Sequence, residues 1–207
     1  VYDGVPCIED TIVTFPGGAA LRSCTLSADT IIQGVSFRAG SVIGFDEKGE
    51  LWRCNISRDT VIDGIPCKAK TEVEFRPAGG LLMCTLSAET GIQDIAAAGG
   101  TLVMFHEDGS LFKCATAREM FVEGFPVAGG TDICFFQDGG LSAFTLSREA
   151  MVCSIPCMAG TRVWLRRDGA IAGCTAGRPV EIEGQNYEKG ALIVFNEKGC
   201  PIKLCKR

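Results

Sequence analysis

The chain has 207 residues, 46% of them hydrophobic and 22% charged, enough apolar side chain to offset chain entropy, which excludes a disordered polymer. A net charge of −5 without clustered Lys or Arg argues against a nucleic-acid partner. No apolar run approaches the ~18 residues that would cross a bilayer as a helix.

Self-similarity dominates the sequence. Set in blocks of thirty from Val1, it shows columns without gaps, and a column is named here by its place in the block. Column two reads Tyr2, Ile32, Ile62, Ile92, Val122, Val152 and Ile182. Column thirteen is β-branched throughout: Val13, Ile43, Val73, Val103, Ile133, Val163 and Ile193. Column fifteen holds Phe six times and Leu165 once. The seven units are 1–30, 31–60, 61–90, 91–120, 121–150, 151–180 and 181–207, and together they form a single β-repeat domain.

The elements of a unit follow in chain order. A short strand such as VIDGIPC runs into a turn at AG. Pro6, Pro66, Pro126 and Pro156 share one column of this strand, which implies an edge, kink or bulge because Pro donates nothing to a ladder. TEVEF, TLVMF and TRVWL then alternate with period two, as a half-buried strand does. A turn follows (DEKG, HEDG, RRDG or NEKG), with a late Gly free to take positive φ. The next strand carries Leu, then Cys, then Leu, as in LLMCTL. The segment S-x-D-T closes another turn through side chains that bond nearby amides. No helical stripe survives from unit to unit. The fold class is therefore all-β, with three or four short strands per unit.

Three architectures fit such a unit: a β-solenoid, an elongated array of hairpins, and a seven-bladed β-propeller. Thirty residues is short for a four-stranded blade, which takes roughly forty, so an open solenoid or hairpin array is preferred. The ends differ from the consensus. Glu9 and Asp10 break the first AG turn, and Gln185, Tyr187 and Pro201 alter the last unit in the manner of a cap.

Twelve cysteines are many for a reducing compartment and point to secretion. The chain opens at Val1 and shows no signal peptide, so a processed product that has lost its leader is expected. Column twenty-four holds Cys24, Cys54, Cys84, Cys114 and Cys174, with Phe144 once. Column seven holds Cys7, Cys67 and Cys157, alternating with Phe37, Ala97, Val127 and Tyr187. Replacement by apolar residues marks both columns as inward, and buried thiols acting as small hydrophobes are one reading. The other is a set of disulfides inside units: Cys7–Cys24, Cys67–Cys84 and Cys157–Cys174, provided the Cα atoms lie within about 7 Å. Cys134 with Cys153, and Cys200 with Cys205, are further candidate pairs. Cys153 and Cys157 are spaced C-x3-C without a second such pair or a suitable His, so no metal or other cofactor is expected.

Catalytic groups are sparse. His106 is the single histidine and falls in the HEDG turn. Asp29, Asp59, Glu89, Glu119 and Glu149 recur at one column; one acid per unit is thin for calcium, and capping of the S-x-D-T turn is the preferred role. No catalytic residue is assigned.

The stretch F-x-x-x-G-x-L, carried best by FDEKGELWRC and FNEKGC, is similar to the hairpin units of MORN-like and YwqK-like bacterial repeats. The whole unit also resembles Cys-bearing repeats of secreted bacterial proteins of unassigned function. The resemblance implies an extracellular or envelope β-repeat scaffold and brings no catalytic residue. The expected function is a non-enzymatic, secreted structural protein that self-assembles into fibres. A module binding a glycan or a protein is the alternative, although Trp52 and Trp164 stand in different columns. A glycoside hydrolase on a β-helical frame is the third reading. Expected partners are other copies of the chain or another protein, with no nucleic acid and no membrane span.

Overall fold

A computed structural model describes residues 1–16, 20–77 and 79–202. Between the two ends of the chain, each thirty-residue stretch builds four strands. Two of three residues form a small hairpin, and a four-residue and a five-residue strand form a larger one. Around the third block these are Thr60–Ile62, Ile65–Cys67, Glu72–Phe75 and Leu81–Thr85. VIDGIPC is thus not one strand, as its sequence suggested, but two strands joined by the turn Asp63-Gly64. Both turn residues have positive φ (51° and 78°), the type I′ geometry whose twist matches that of the strands. Ile62 faces Ile65 across this turn and Val61 faces Pro66. Hydrogen-bonded and open pairs alternate in an antiparallel ladder, so Pro66 falls on an open pair and costs no bond.

The chain divides into two compact units, one of Val1–Ile92 and Ala98–Gly109, the other of Gln93–Ala97 and Ser110–Arg207. In the first, the larger strands run across a sheet in chain order: Val13–Thr14, Leu21–Thr25, Val42–Phe45, Leu51–Asn55, Glu72–Phe75, Leu81–Thr85 and Leu102–Phe105. Each is antiparallel to the next. The second orders Leu111–Ala115, Asp132–Phe135, Leu141–Thr145, Arg162–Leu165, Ile171–Thr175 and Leu192–Val194 in the same way. Stacked solenoid coils would pair in parallel, and propeller blades would be separate small sheets. The ladders between the described strands are antiparallel and continue from hairpin to hairpin, so the architecture is an open hairpin array and the solenoid and propeller alternatives are set aside.

Alternation places the core. In the second to sixth blocks, columns thirteen, fifteen, twenty-one, twenty-four and twenty-six are buried on one sheet face (Val73, Phe75, Leu81, Cys84 and Leu86 in one hairpin), whereas Val13 in the first block is exposed. A bulge between Leu81 and Met83 keeps Leu81 and Cys84 on that face although three residues separate them. The small hairpins close over it, burying columns two and seven, such as Ile62 and Cys67. In the first block, where the AG turn is missing, a single turn of 3₁₀ helix, Glu9–Thr11, takes its place. At the other end, Ile202 N–H donates to the Val194 carbonyl at 2.7 Å and Pro201 bridges to Phe195, so the chain folds back on the end of its last described strand.

Candidate functional site in the cysteine columns

The two cysteine columns meet where the small hairpin enters the sheet. Column seven bridges to column twenty-six: Cys7 to Leu26, Cys67 to Leu86, Cys157 to Ala176. Column twenty-four lies two residues back along the same strand and therefore points to the same face. Two backbone bonds flank each pair. For Cys7 they run from Ile8 N–H to the Thr25 carbonyl and from Ser27 N–H to the Pro6 carbonyl, both 2.8 Å. The equivalents at Cys67 (Lys68 to Thr85, Ser87 to Pro66) and at Cys157 (Met158 to Thr175, Gly177 to Pro156) are also 2.8 Å.

Within this frame Cys7 and Cys24 are joined by a disulfide, with Cα atoms 5.7 Å apart. Cys67 and Cys84 are free thiols in the same frame, and so are Cys157 and Cys174. Of the three pairs read from the sequence, the structure thus closes one, Cys7–Cys24, and holds the other two as free thiols in the same backbone frame. Cys67 also points its thiol at the Ile65 carbonyl and Cys157 at that of Ile155, both at 3.5 Å. The partner thiol raises the pKa of Cys84, and burial adds to the effect. Cys174 is raised for the same two reasons, whereas the bond it makes lowers that of Cys157.

The remaining column-twenty-four residues are buried without a partner of this kind. Burial pushes the thiols of Cys54 and Cys114 up to about 12. Phe144 takes the cysteine's place in the fifth unit and stacks on Phe125, their ring centroids 5.2 Å apart. Cys134 and Cys153 are not joined: Arg162 donates to the Cys134 sulfur at 3.2 Å, and Cys153 faces the Gly169 carbonyl at 3.6 Å. Cys205 lies outside the described residues.

The recurring polar side chains turn back onto the chain. Asp29 and Asp59 accept from the amides of Ala39 and Ala69 at 2.9 and 2.7 Å. The Ala39 amide and the Arg38 guanidinium hold Asp29 below the usual carboxylate range. Thr71, Thr101, Thr131 and Thr161 donate to the carbonyl three residues back, at 2.6–2.7 Å. One column was not singled out from sequence. In the first five units the first residue of the small-hairpin turn reaches eighteen residues on, to an amide of the main sheet. Asp3, Gln33, Asp63, Gln93 and Glu123 accept from Leu21, Leu51, Leu81, Leu111 and Leu141 at 2.7–3.1 Å. The signal was a polar acceptor recurring before the turn glycine, hidden by its changing identity.

What the small hairpins expose is apolar. Ile31 and Val61 are 70% and 67% exposed in the first unit, Phe121 and Met151 59% and 51% in the second. A groove of about 530 Å³ separates the two hairpins that carry Ile31 and Val61, lined also by Asp29, Arg38 and Asp59. The Arg148 guanidinium lies 5.0 Å from the Phe121 ring centroid. No protein-family model matches the chain, and no curated protein is significantly similar to it.

Proposed function

We propose that the protein is a non-enzymatic structural repeat protein of the extracellular space or cell envelope, built to associate with other copies of itself. The observation that carries this reading is the use of the recurring polar columns. Acids, amides and threonines that could have converged on a substrate instead hold backbone groups of neighbouring strands. The apolar side chains left outside recur at the same column, as a contact surface extended along an array would require. The disulfide between Cys7 and Cys24 supports an oxidising compartment.

Electron microscopy and light scattering of the pure protein test the reading. Fibres or stacks are expected, and replacement of Ile31, Val61 and Phe121 by Lys should disperse them. A strict monomer at high concentration would overturn self-association. The groove favours a second reading, a module for a protein partner, because Ile31 and Val61 there stand beside Asp29, Arg38 and Asp59. Apolar centres with charged rims are what such contacts use.

A further inference from the structure

The bonded frame around Cys7 and Cys24 is reproduced around two further cysteine pairs, and that repetition has a chemical consequence. We propose that Cys67–Cys84 and Cys157–Cys174 are disulfide sites, closed during oxidative folding in the manner of Cys7–Cys24. Three observations converge. The bridge from column seven to column twenty-six is the same at all three. The two backbone bonds that fix the separation of the strands are the same, each 2.8 Å. All four thiols are free and buried in the core, on the strands that the frame joins. A frame that holds the Cα atoms of Cys7 and Cys24 at 5.7 Å places its copies inside the range a disulfide spans, about 4.4–6.8 Å.

The chemistry is thiol–disulfide exchange with a small-molecule disulfide such as oxidised glutathione. One cysteine thiolate attacks the reagent, breaks its S–S bond and forms a mixed disulfide, expelling one glutathione thiolate. The second cysteine thiolate then attacks the protein sulfur of that mixed disulfide, and the second glutathione leaves. Two protons and two electrons pass from the protein to the reagent for each bond formed. The four thiols are buried, so exchange proceeds while the small hairpins are open, before or during folding, and the closed bonds are then shielded from reductants.

The frame also says where bonds do not form. Cys54 faces a column occupied by Phe37, and Cys114 one occupied by Ala97. Ala97 nevertheless bridges to Thr116, and Ala117 N–H donates to the Ala96 carbonyl at 2.7 Å. Ala97→Cys therefore supplies the one atom missing for a bond to Cys114.

The experiment is to refold the full chain in a glutathione redox buffer, alkylate free thiols under denaturing conditions, and map peptides without reduction. Peptides linking Cys67 to Cys84 and Cys157 to Cys174 are expected, with Cys54 and Cys114 alkylated. Ala97→Cys is expected to add a link to Cys114 and leave the others in place. Alkylation of all four proposed cysteines, with Cys7–Cys24 intact, would overturn the proposal. Links that join these cysteines to Cys54 or Cys114 would overturn it equally. Should Ala97→Cys fail to fold, the map of the unaltered chain still decides.

Discussion

Gln33 shows what one side chain contributes to this array. Its Nε2 donates to the Gly49 carbonyl and its Oε1 accepts from Leu51 N–H, both at 2.9 Å, so a turn residue ties a small hairpin to the main sheet. In the sixth unit Cys153 occupies this position and offers the Gly169 carbonyl only a thiol at 3.6 Å, a weak donor. Cys153→Gln is expected to restore both bonds and raise stability by about 1 kcal/mol in urea unfolding. The following turn position is Gly in most units, but Asp94 and Ser154 hold φ of 68° and 66° there. A side chain in that region costs about 1–2 kcal/mol, partly offset by the extra entropy of Gly, so Asp94→Gly and Ser154→Gly should each raise the unfolding midpoint. Not every glycine in these sequences serves φ. Gly130 does, at 71°, whereas a Cβ on its neighbour Gly129 would lie 2.7 Å from the Arg118 backbone, so close approach explains the pair better than turn geometry alone. Titration gives a prediction of opposite sign at each end of the pH scale. Asp29 is held below 3.8, so its contribution is present above that value and fades as pH falls through the lowered one. Cys54 and Cys114 are raised from 9.0 to about 12. What their burial as neutral thiols contributes is complete below 9.0 and lost as pH rises toward 12. Cys54→Val with Cys114→Val should flatten the alkaline fall in denaturation midpoint.

Among the elements, the larger hairpin was legible and the smaller one was not. TEVEF alternates cleanly because one sheet face is buried and the other is not, and Val73 and Phe75 lie in the core where the pattern put them. VIDGIPC gave no such contrast. Its strands are three residues each, a Pro sits in the middle of one, and the turn between them is two residues long. The residue that anchors that turn changes among Asp, Gln and Glu, because any side-chain oxygen serves the distant amide. The cysteine columns were legible as inward and as pairs, through Phe, Val and Ala at the same places. Their bonding states were not, since a buried thiol and a half-cystine leave the same mark on an apolar column. The fifth unit shows the two columns acting together. Val127 and Phe144 are both buried, and Phe144 stacks on Phe125 where other units use sulfur. Phe144→Ala removes a fully buried ring and is expected to cost about 3–5 kcal/mol, read from the shift in a denaturant midpoint at constant slope.

For the whole molecule, constant spacing is the organising fact. It was visible as columns, and it reappears as strands that begin at Leu21, Leu51, Leu81, Leu111, Leu141 and Ile171. What the columns left undecided was the direction of pairing, because parallel coils and antiparallel hairpins bury the same residues. The ladders resolve that, and with it the choice between a solenoid and an array. Side chains also reach from one block to the next. Arg76 donates to the Glu107 carbonyl at 3.1 Å, and Arg166 to that of Asn196 at 2.7 Å, thirty-one and thirty residues on. Where the column holds Arg, in the third and sixth blocks, one block thus leans on the next by the same contact. The stretch 121–150 starts and finishes at equivalent phase, so excising it joins Met120 to Met151 and leaves every column continuous. Mispairing between the similar coding stretches of a gene would then add or drop whole blocks without disturbing the rest. Size in such a molecule is a quantity inheritance can adjust in discrete increments, with no new packing to be discovered at each one.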